Sequence, residues 1–213
     1  MLDISMWDDT KVDMEAHNIW IAGRPGLLII VDQDQSYLAV RRLGEARELG
    51  ATSETIFAQR SVIGCHLSKD DVEYFKENFS GRLNPIEEKI LNIYRKEHDF
   101  VIILPEGHSQ FGSMLNHEIT HALYRYSTKM QSIARRLWKS YGSDQKAQII
   151  SSLKKGGYHE YEFIEENIAR AMDGTSPIKD STFIRLYRVV NAISREIFQS
   201  LASESFLSEQ VLS

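Results

Sequence analysis

The stretch MLNHEITHALYRY, residues 114–126, decides the fold assignment, because it combines a helical apolar pattern with the motif His-Glu-x-x-His. Its apolar residues recur every three or four positions, which predicts an amphipathic helix. His117 and His121 are four residues apart, so on a helix both lie on one face. Two imidazoles placed in this way can bind a single Zn²⁺ at about 2.0–2.1 Å.

Glu118 follows the first histidine directly, and this position predicts a catalytic role for it. A carboxylate there can reach a water activated by the metal and accept its proton as general base. Zinc lowers the pKa of such a water towards about 7, which provides a nucleophile at neutral pH. The motif therefore predicts a zinc-dependent hydrolase with His117 and His121 as ligands.

The run His117-Glu118-Ile119-Thr120-His121 resembles the motif of the zincin metallopeptidases. No Gly-x-x-His follows it closely, so the resemblance points to the gluzincin branch rather than to the metzincins. In gluzincins the third zinc ligand is a Glu on a later helix, and residues 158–170 predict such a helix. Many zinc peptidases also place an edge strand of a sheet shortly before the motif helix, and Phe100–Leu104 stands at that position.

Three glutamates are candidates for the third zinc ligand. The gluzincin helix often reads Glu-x-x-Ala-acidic, where the acidic residue orients a zinc-binding histidine. Glu162 as ligand places Glu166 at the acidic position, but Glu165 then replaces the Ala. Glu166 as ligand has Ala169 in place, but Arg170 stands where the acid is expected. The resulting order of preference is Glu162, then Glu166, then Glu165.

A zinc hydrolase also needs a donor for the oxyanion that forms when water adds to a carbonyl. Related enzymes use Tyr or His, and Tyr158 is the predicted donor because it lies just before the third-ligand candidates. His159, Tyr161 and Tyr187 are the alternatives.

The first half of the chain predicts a small sheet with its own helices. Leu27–Val31 is a compact apolar run and predicts a buried strand, with Tyr37–Val40 as its hairpin partner. Thr55–Ile63 is a further predicted strand, and Phe100–Leu104 another. Helices are predicted after the N-cap Ser68 and after the run NPIE at residues 84–87, which places a cap, a helical proline and a Glu at the third position.

The second half predicts mainly helices. Ser113 is expected to cap a helix that runs to about Lys139, and further helices are expected at about 143–153, 158–172 and from Asp180 onward. The predicted fold is a single α+β, zincin-like domain over residues 1–213. Its mixed part covers residues 1–110 and its helical part, which carries the motif, covers residues 111–213.

The composition of the 213-residue chain is that of a globular protein, with 42% hydrophobic and 26% charged residues. The net charge of −5 argues against a nucleic-acid partner, and the single cysteine, Cys65, excludes an internal disulfide. The acidic N-terminus lacks a secretory pattern and no apolar run reaches the ~20 residues of a membrane span. These features predict a cytoplasmic protein, or one exported without a Sec-type signal.

The predicted function is hydrolysis of a peptide bond in a protein or peptide substrate. The resemblance further implies a bacterial effector, toxin or regulatory protease. One alternative is a non-catalytic helical protein-binding module in which the motif is coincidental or degenerate. Another is hydrolysis of a non-peptide amide such as a formyl group, because residues 64–68, GCHLS, resemble the Gly-Cys-x-Ser segment of peptide deformylase, where the cysteine is a metal ligand.

Overall fold

The computed structural model describes residues 14–31, 43, 64–79, 83–178 and 180–211, with side chains of the last helix described through residue 202. The chain divides into two compact units, Met1–Met114 and Leu115–Ser213. Elements of both α and β type are present, and the described residues form four strands and seven α-helices. None of the described helices is both long enough and apolar enough to span a membrane.

The first unit contains a four-stranded sheet in which β1 and β2 form an antiparallel hairpin, β2 and β4 are parallel, and β4 and β3 are antiparallel. The strands are β1 (Met14–Ile21), β2 (Arg24–Val31), β3 (Cys65–Ser68) and β4 (Phe100–Pro105). The predicted strands at Leu27–Val31 and Phe100–Leu104 are confirmed. Residues Tyr37–Val40 and Thr55–Ile63 lie outside the described part of the chain.

The order of these strands is β1-β2-β4-β3, so β4 is an interior strand. The expectation that Phe100–Leu104 forms an edge strand is therefore wrong. All six residues of β4 are buried, which agrees with the unbroken apolar run expected of a strand with neighbours on both sides. The hairpin partner of β2 is β1, which precedes it through the turn Ala22-Gly23. Both turn residues have positive φ, 53° and 72°, as a tight two-residue hairpin requires.

Two helices complete the described part of this unit, α1 (Lys69–Phe79) and α2 (Pro85–Ile93). Both predicted helix starts are confirmed. Ser68 Oγ accepts the backbone N–H of Asp71 at 3.3 Å. The Asn84 side chain accepts the N–H groups of Ile86 and Glu87, and the Glu87 carboxylate accepts the N–H of Asn84 in return. Apolar side chains of both helices share one core with those of β2, β3 and β4.

Helices make up the second unit. They are α3 (Phe111–Tyr126), which begins just before the unit boundary, α4 (Thr128–Ser140), α5 (Ser143–Lys155), α6 (Phe163–Asp173) and α7 (Ser181–Val211). The predicted single helix from Ser113 to Lys139 is in fact two helices. Ser127 separates them, because its hydroxyl accepts the N–H of Met130 and so caps α4. A short 3₁₀ helix, Glu160–Glu162, precedes α6, and α6 packs against α4, α5 and α7.

Candidate metal centre

Helix α3 presents the two motif histidines side by side. Their Nε2 atoms are 3.0 Å apart, and the ring centroids are 4.8 Å apart at an angle of 65°. The helix is regular here because its other face is apolar, with Leu115, Ile119 and Ala122 completely buried. The four-residue spacing therefore brings both imidazoles to one point, as the sequence predicts.

Helix α6 contributes a carboxylate at the same point. Glu166 Oε1 lies 3.3 Å from His121 Nε2, and Glu166 Oε2 lies 3.8 Å from His117 Nε2. The Glu166 side chain is buried, and among the described residues its Oε2 atom has no hydrogen-bond partner. A buried carboxylate oxygen without a donor needs another source of positive charge.

The geometry of these three groups suits a metal ion. One ligand atom from each of His117, His121 and Glu166 lies within 4.8 Å of the others, and the group could hold a cation. Bonds of about 2.0–2.1 Å at tetrahedral angles place ligand atoms about 3.3 Å apart. The three observed separations, 3.0, 3.3 and 3.8 Å, lie close to that value.

Two further carboxylates of α6 contact the outer nitrogens of the histidines. His117 Nδ1 lies 2.7 Å from Asp173 Oδ2, and His121 Nδ1 lies 2.7 Å from Glu165 Oε1. A carboxylate that accepts from Nδ1–H leaves the lone pair of Nε2 available, which is the tautomer that binds a metal through Nε2. Both histidines are therefore oriented with Nε2 towards the other histidine and Glu166.

The carboxylates also change the proton affinity of the histidines. Burial alone lowers the pKa of His121, but Glu166 and Glu165 outweigh burial and raise it to about 10. Burial likewise lowers the pKa of His117, but the hydrogen bond to Asp173 and the charges of Glu118 and Glu166 together outweigh it, so the pKa is raised. Burial raises the pKa of Asp173, but the hydrogen bond and charge of His117 and the two hydrogen bonds from Thr175 together outweigh it, so the pKa is lowered. The carboxylates of this cluster therefore favour the protonated form of both imidazoles.

Glu118, the predicted general base, lies at the same cluster. Its side chain is buried, and its charge contributes to the raised pKa of both His117 and His121, which places the carboxylate near both rings. The position next to the first histidine thus sets the Glu118 carboxylate beside the group that could hold a cation.

The structure brings Glu166, and not Glu162, to the two histidines. Glu162 ends the 3₁₀ turn that precedes α6, and its carboxylate accepts the backbone N–H of His159 at 2.7 Å. Glu165 lies at the outer nitrogen of His121 rather than with the ligand group. The sequence offers all three glutamates as candidates for the third ligand. In the structure each has a different contact, and Glu166 is the one grouped with both histidines.

Sequence reasoning missed the role of Asp173. The expected orienting acid lies four residues after the ligand, where this chain has Arg170. Asp173 follows Glu166 by seven residues, which is two helical turns and therefore the same face of α6. That spacing is visible in the sequence, but the helix expected at about 158–172 stops one residue before Asp173.

The tyrosine candidates have other contacts. The Tyr158 ring lies under the guanidinium of Arg170, with the ring centroid 5.2 Å away. Tyr161 is 75% exposed and stacks on His159, with centroids 5.6 Å apart. Tyr187 is exposed on α7. Tyr158 as oxyanion donor stays a prediction.

Cys65 is not part of the group that could hold a metal ion. It is buried in β3, where it belongs to the apolar core of the first unit. A small buried thiol among apolar side chains is an ordinary packing residue.

Comparison of this chain with protein-family models, with curated protein sequences and with solved structures found no match.

Proposed function

We propose that this protein is a zinc-dependent metallopeptidase of the zincin class and of its gluzincin-like branch. The observation that carries the proposal is the convergence of His117 Nε2, His121 Nε2 and the Glu166 carboxylate within 4.8 Å. The resemblance of the motif to the zincins supports the same assignment. Each histidine also has a carboxylate at Nδ1, the arrangement by which metal-binding histidines are oriented in proteins.

Charge supports a cation at this position. Four carboxylates surround the two imidazoles: Glu118, Glu165, Glu166 and Asp173. Glu118 and Glu166 are buried, and Glu165 and Asp173 are partly buried. Two ordinary histidines do not require so many acids, because a carboxylate loses hydration on burial. A divalent cation would replace the protons that these carboxylates otherwise favour on the two histidines.

Zinc is the metal favoured by the two imidazoles and one carboxylate together with the neighbouring Glu118. Two imidazoles and one carboxylate bind either zinc in hydrolases or iron in non-haem oxygenases. A buried Glu directly after the first histidine favours hydrolysis, since it supplies the base that metal-assisted hydrolysis needs. Bound zinc would supply Lewis-acid activation of water and of the substrate carbonyl.

The protein's own residues would then move the proton. A Glu118 carboxylate oxygen accepts the proton of the attacking water and passes it to the nitrogen of the leaving amine. Asp173 and Glu165 keep His117 and His121 in the orientation that exposes both Nε2 atoms. Tyr158 stays the proposed donor to the oxyanion on the basis of its place in the sequence just before the third-ligand candidates.

The proposed substrate is a protein or peptide. The resemblance to the zincins is the basis for this choice, and it extends to a bacterial effector, toxin or regulatory protease that cuts one chosen protein. The alternative, a non-catalytic helical module that binds a protein, would have this same cluster without turnover.

The decisive variant is Glu118→Gln, which removes the base and leaves the three ligands in place. It should keep the bound zinc and lower hydrolysis of an unfolded protein by about 10²–10⁴-fold, the usual contribution of a general base. Glu160→Gln is the matched control, because Glu160 is exposed and pairs only loosely with Lys154 at 3.5 Å. Hydrolysis by the parent should stop with EDTA and return with zinc.

Full activity of Glu118→Gln would contradict the proposed mechanism. Zinc bound at one per chain, with no hydrolysis of any unfolded substrate by the parent, would favour the binding module instead.

A further inference from the structure

The carboxylate that contacts His117 sits at an unusual place in its helix. Asp173 is the last residue of α6, and Gly174 follows in the left-handed conformation with φ 86°. A negative charge at the C-terminal end of a helix is unfavourable, because the helix dipole is negative there. Residues that break a local rule in this way often have a role that compensates the cost.

Both oxygens of Asp173 are occupied by defined donors. Oδ2 accepts from His117 Nδ1 at 2.7 Å. Oδ1 accepts from both groups of Thr175, the backbone N–H at 2.8 Å and the hydroxyl at 2.6 Å. Because each oxygen has its own donors, the carboxylate cannot rotate without breaking a hydrogen bond.

The position four residues after Glu166, where gluzincins usually have the orienting acid, has another function in this chain. Arg170 stands four residues after Glu166, donates to Ser152 Oγ at 3.1 Å and lies over the Tyr158 ring. It therefore links α6 to α5 and the segment after it. The orienting acid comes instead from the turn that ends α6.

We propose that the turn Asp173-Gly174-Thr175 is a positioning element for the metal ligand His117, and that Thr175 acts on the metal through Asp173. Thr175 fixes the carboxylate, the carboxylate fixes the ring and tautomer of His117, and Nε2 is thereby directed at the metal. This inference rests on the proposed metal site. Thr175 touches neither a ligand nor the metal.

The test compares zinc affinities of full-length variants by competition with a chromophoric chelator. Asp173→Asn should weaken zinc binding about 10–100-fold, as outer-shell partners of metal ligands typically do, and Thr175→Val about 3–10-fold. Thr175→Ser keeps the hydroxyl and should restore parent affinity. Thr128→Val, at the exposed start of α4, is the matched control and should bind zinc as the parent does.

A spectroscopic readout separates positioning from general stabilisation. With Co²⁺ in place of zinc, the visible absorption of Thr175→Val and Asp173→Asn should change in position or intensity, because the angle of the His117 ligand changes. Urea unfolding of the metal-free variants runs in parallel. Lower unfolding stability with an unchanged spectrum and unchanged affinity would overturn the proposal.

The outcomes distinguish this inference from the function it depends on. Tight zinc binding by the parent, with Asp173→Asn and Thr175→Val equal to it, would refute the positioning role alone. No zinc binding by the parent would refute both. A graded loss, larger for Asp173→Asn than for Thr175→Val and reversed by Thr175→Ser, supports the positioning role.

Discussion

His117 and His121 each use both of their ring nitrogens. The outer nitrogens contact Asp173 and Glu165 at 2.7 Å, and the inner nitrogens face one another and Glu166. A neutral histidine that is buried only for packing has one N–H that donates and one nitrogen that accepts, and neither needs a carboxylate as its partner. The carboxylates around the two histidines therefore support the proposed cation site.

The identity of the third ligand can be tested with a matched pair of variants. Glu166→Gln should lose most of its zinc affinity, because a charged donor 3.3 Å from His121 Nε2 is replaced by a neutral amide. Glu162→Gln should bind zinc as the parent does, since Glu162 caps the backbone at His159. Zinc per folded chain, measured after gel filtration, checks both. Normal zinc in Glu166→Gln would assign the third ligand elsewhere.

The pKa of His121 predicts how zinc binding depends on pH. Because that pKa is raised to about 10, His121 carries a proton near neutral pH in the metal-free protein, and zinc must displace it. Zinc affinity should therefore increase as the pH rises towards 10. Calorimetric titration in two buffers of different ionisation enthalpy should show release of at least one proton. Zinc affinity independent of pH would contradict the predicted protonation.

Stability of the metal-free protein should change with pH in the opposite direction. His121 has a higher pKa in the folded chain than its ordinary 6.5, so its stabilising contribution is complete below about pH 6.5. That contribution is lost as the pH rises through about 10. The increase in Tm that zinc causes should consequently be larger at alkaline than at neutral pH.

At the scale of elements, the start of α6 explains why the third ligand was ambiguous in sequence. Glu162, Glu165 and Glu166 lie within little more than one turn, so a shift of the helix start changes which of them faces α3. The 3₁₀ turn at Glu160–Glu162 sets that start, and short 3₁₀ segments have no strong sequence signal. The sequence therefore offers several glutamates of this segment, and the structure brings Glu166 to the two histidines.

Helices that begin with a characteristic capping sequence could be predicted from the sequence. The run NPIE at residues 84–87 specified a capping box that the structure contains in full. Strand β1, in contrast, was missed in an acidic N-terminal stretch. Only Ile19 and Ile21 of its eight residues are buried, so most of the strand shows no alternating apolar pattern.

The contact between β2 and β4 provides a test of the sheet. A Cβ added at Gly26 would lie 2.1 Å from the ring of Phe100, whereas one added at Gly112 of α3 would meet nothing within 4 Å. Gly26→Ala should lower the free energy of unfolding by about 3 kcal/mol or more through overpacking. Gly112→Ala should be neutral or stabilising by up to about 1 kcal/mol. Urea unfolding curves measure both, and equal stabilities would contradict the described packing.

At the scale of the whole molecule, the residues of the candidate site all lie in one unit. His117, Glu118 and His121 come from α3, and the carboxylates come from α6, all within Leu115–Ser213. The sequence predicted this helical half and its motif because short-range spacing determines both. Asp173 was not recognised, since its pairing with His117 joins residues 56 apart in the chain and depends on how two helices pack.

The central claim is that His117 and His121 bind zinc, and zinc content tests it most directly. We would measure zinc per chain by elemental analysis, on protein purified without chelator or metal-affinity resin, for the parent and for His117→Ala in parallel. The account predicts close to one zinc per chain in the parent and none in the variant. No zinc in either protein, with none taken up on titration, would contradict it and leave the motif a coincidence on a helical binding protein.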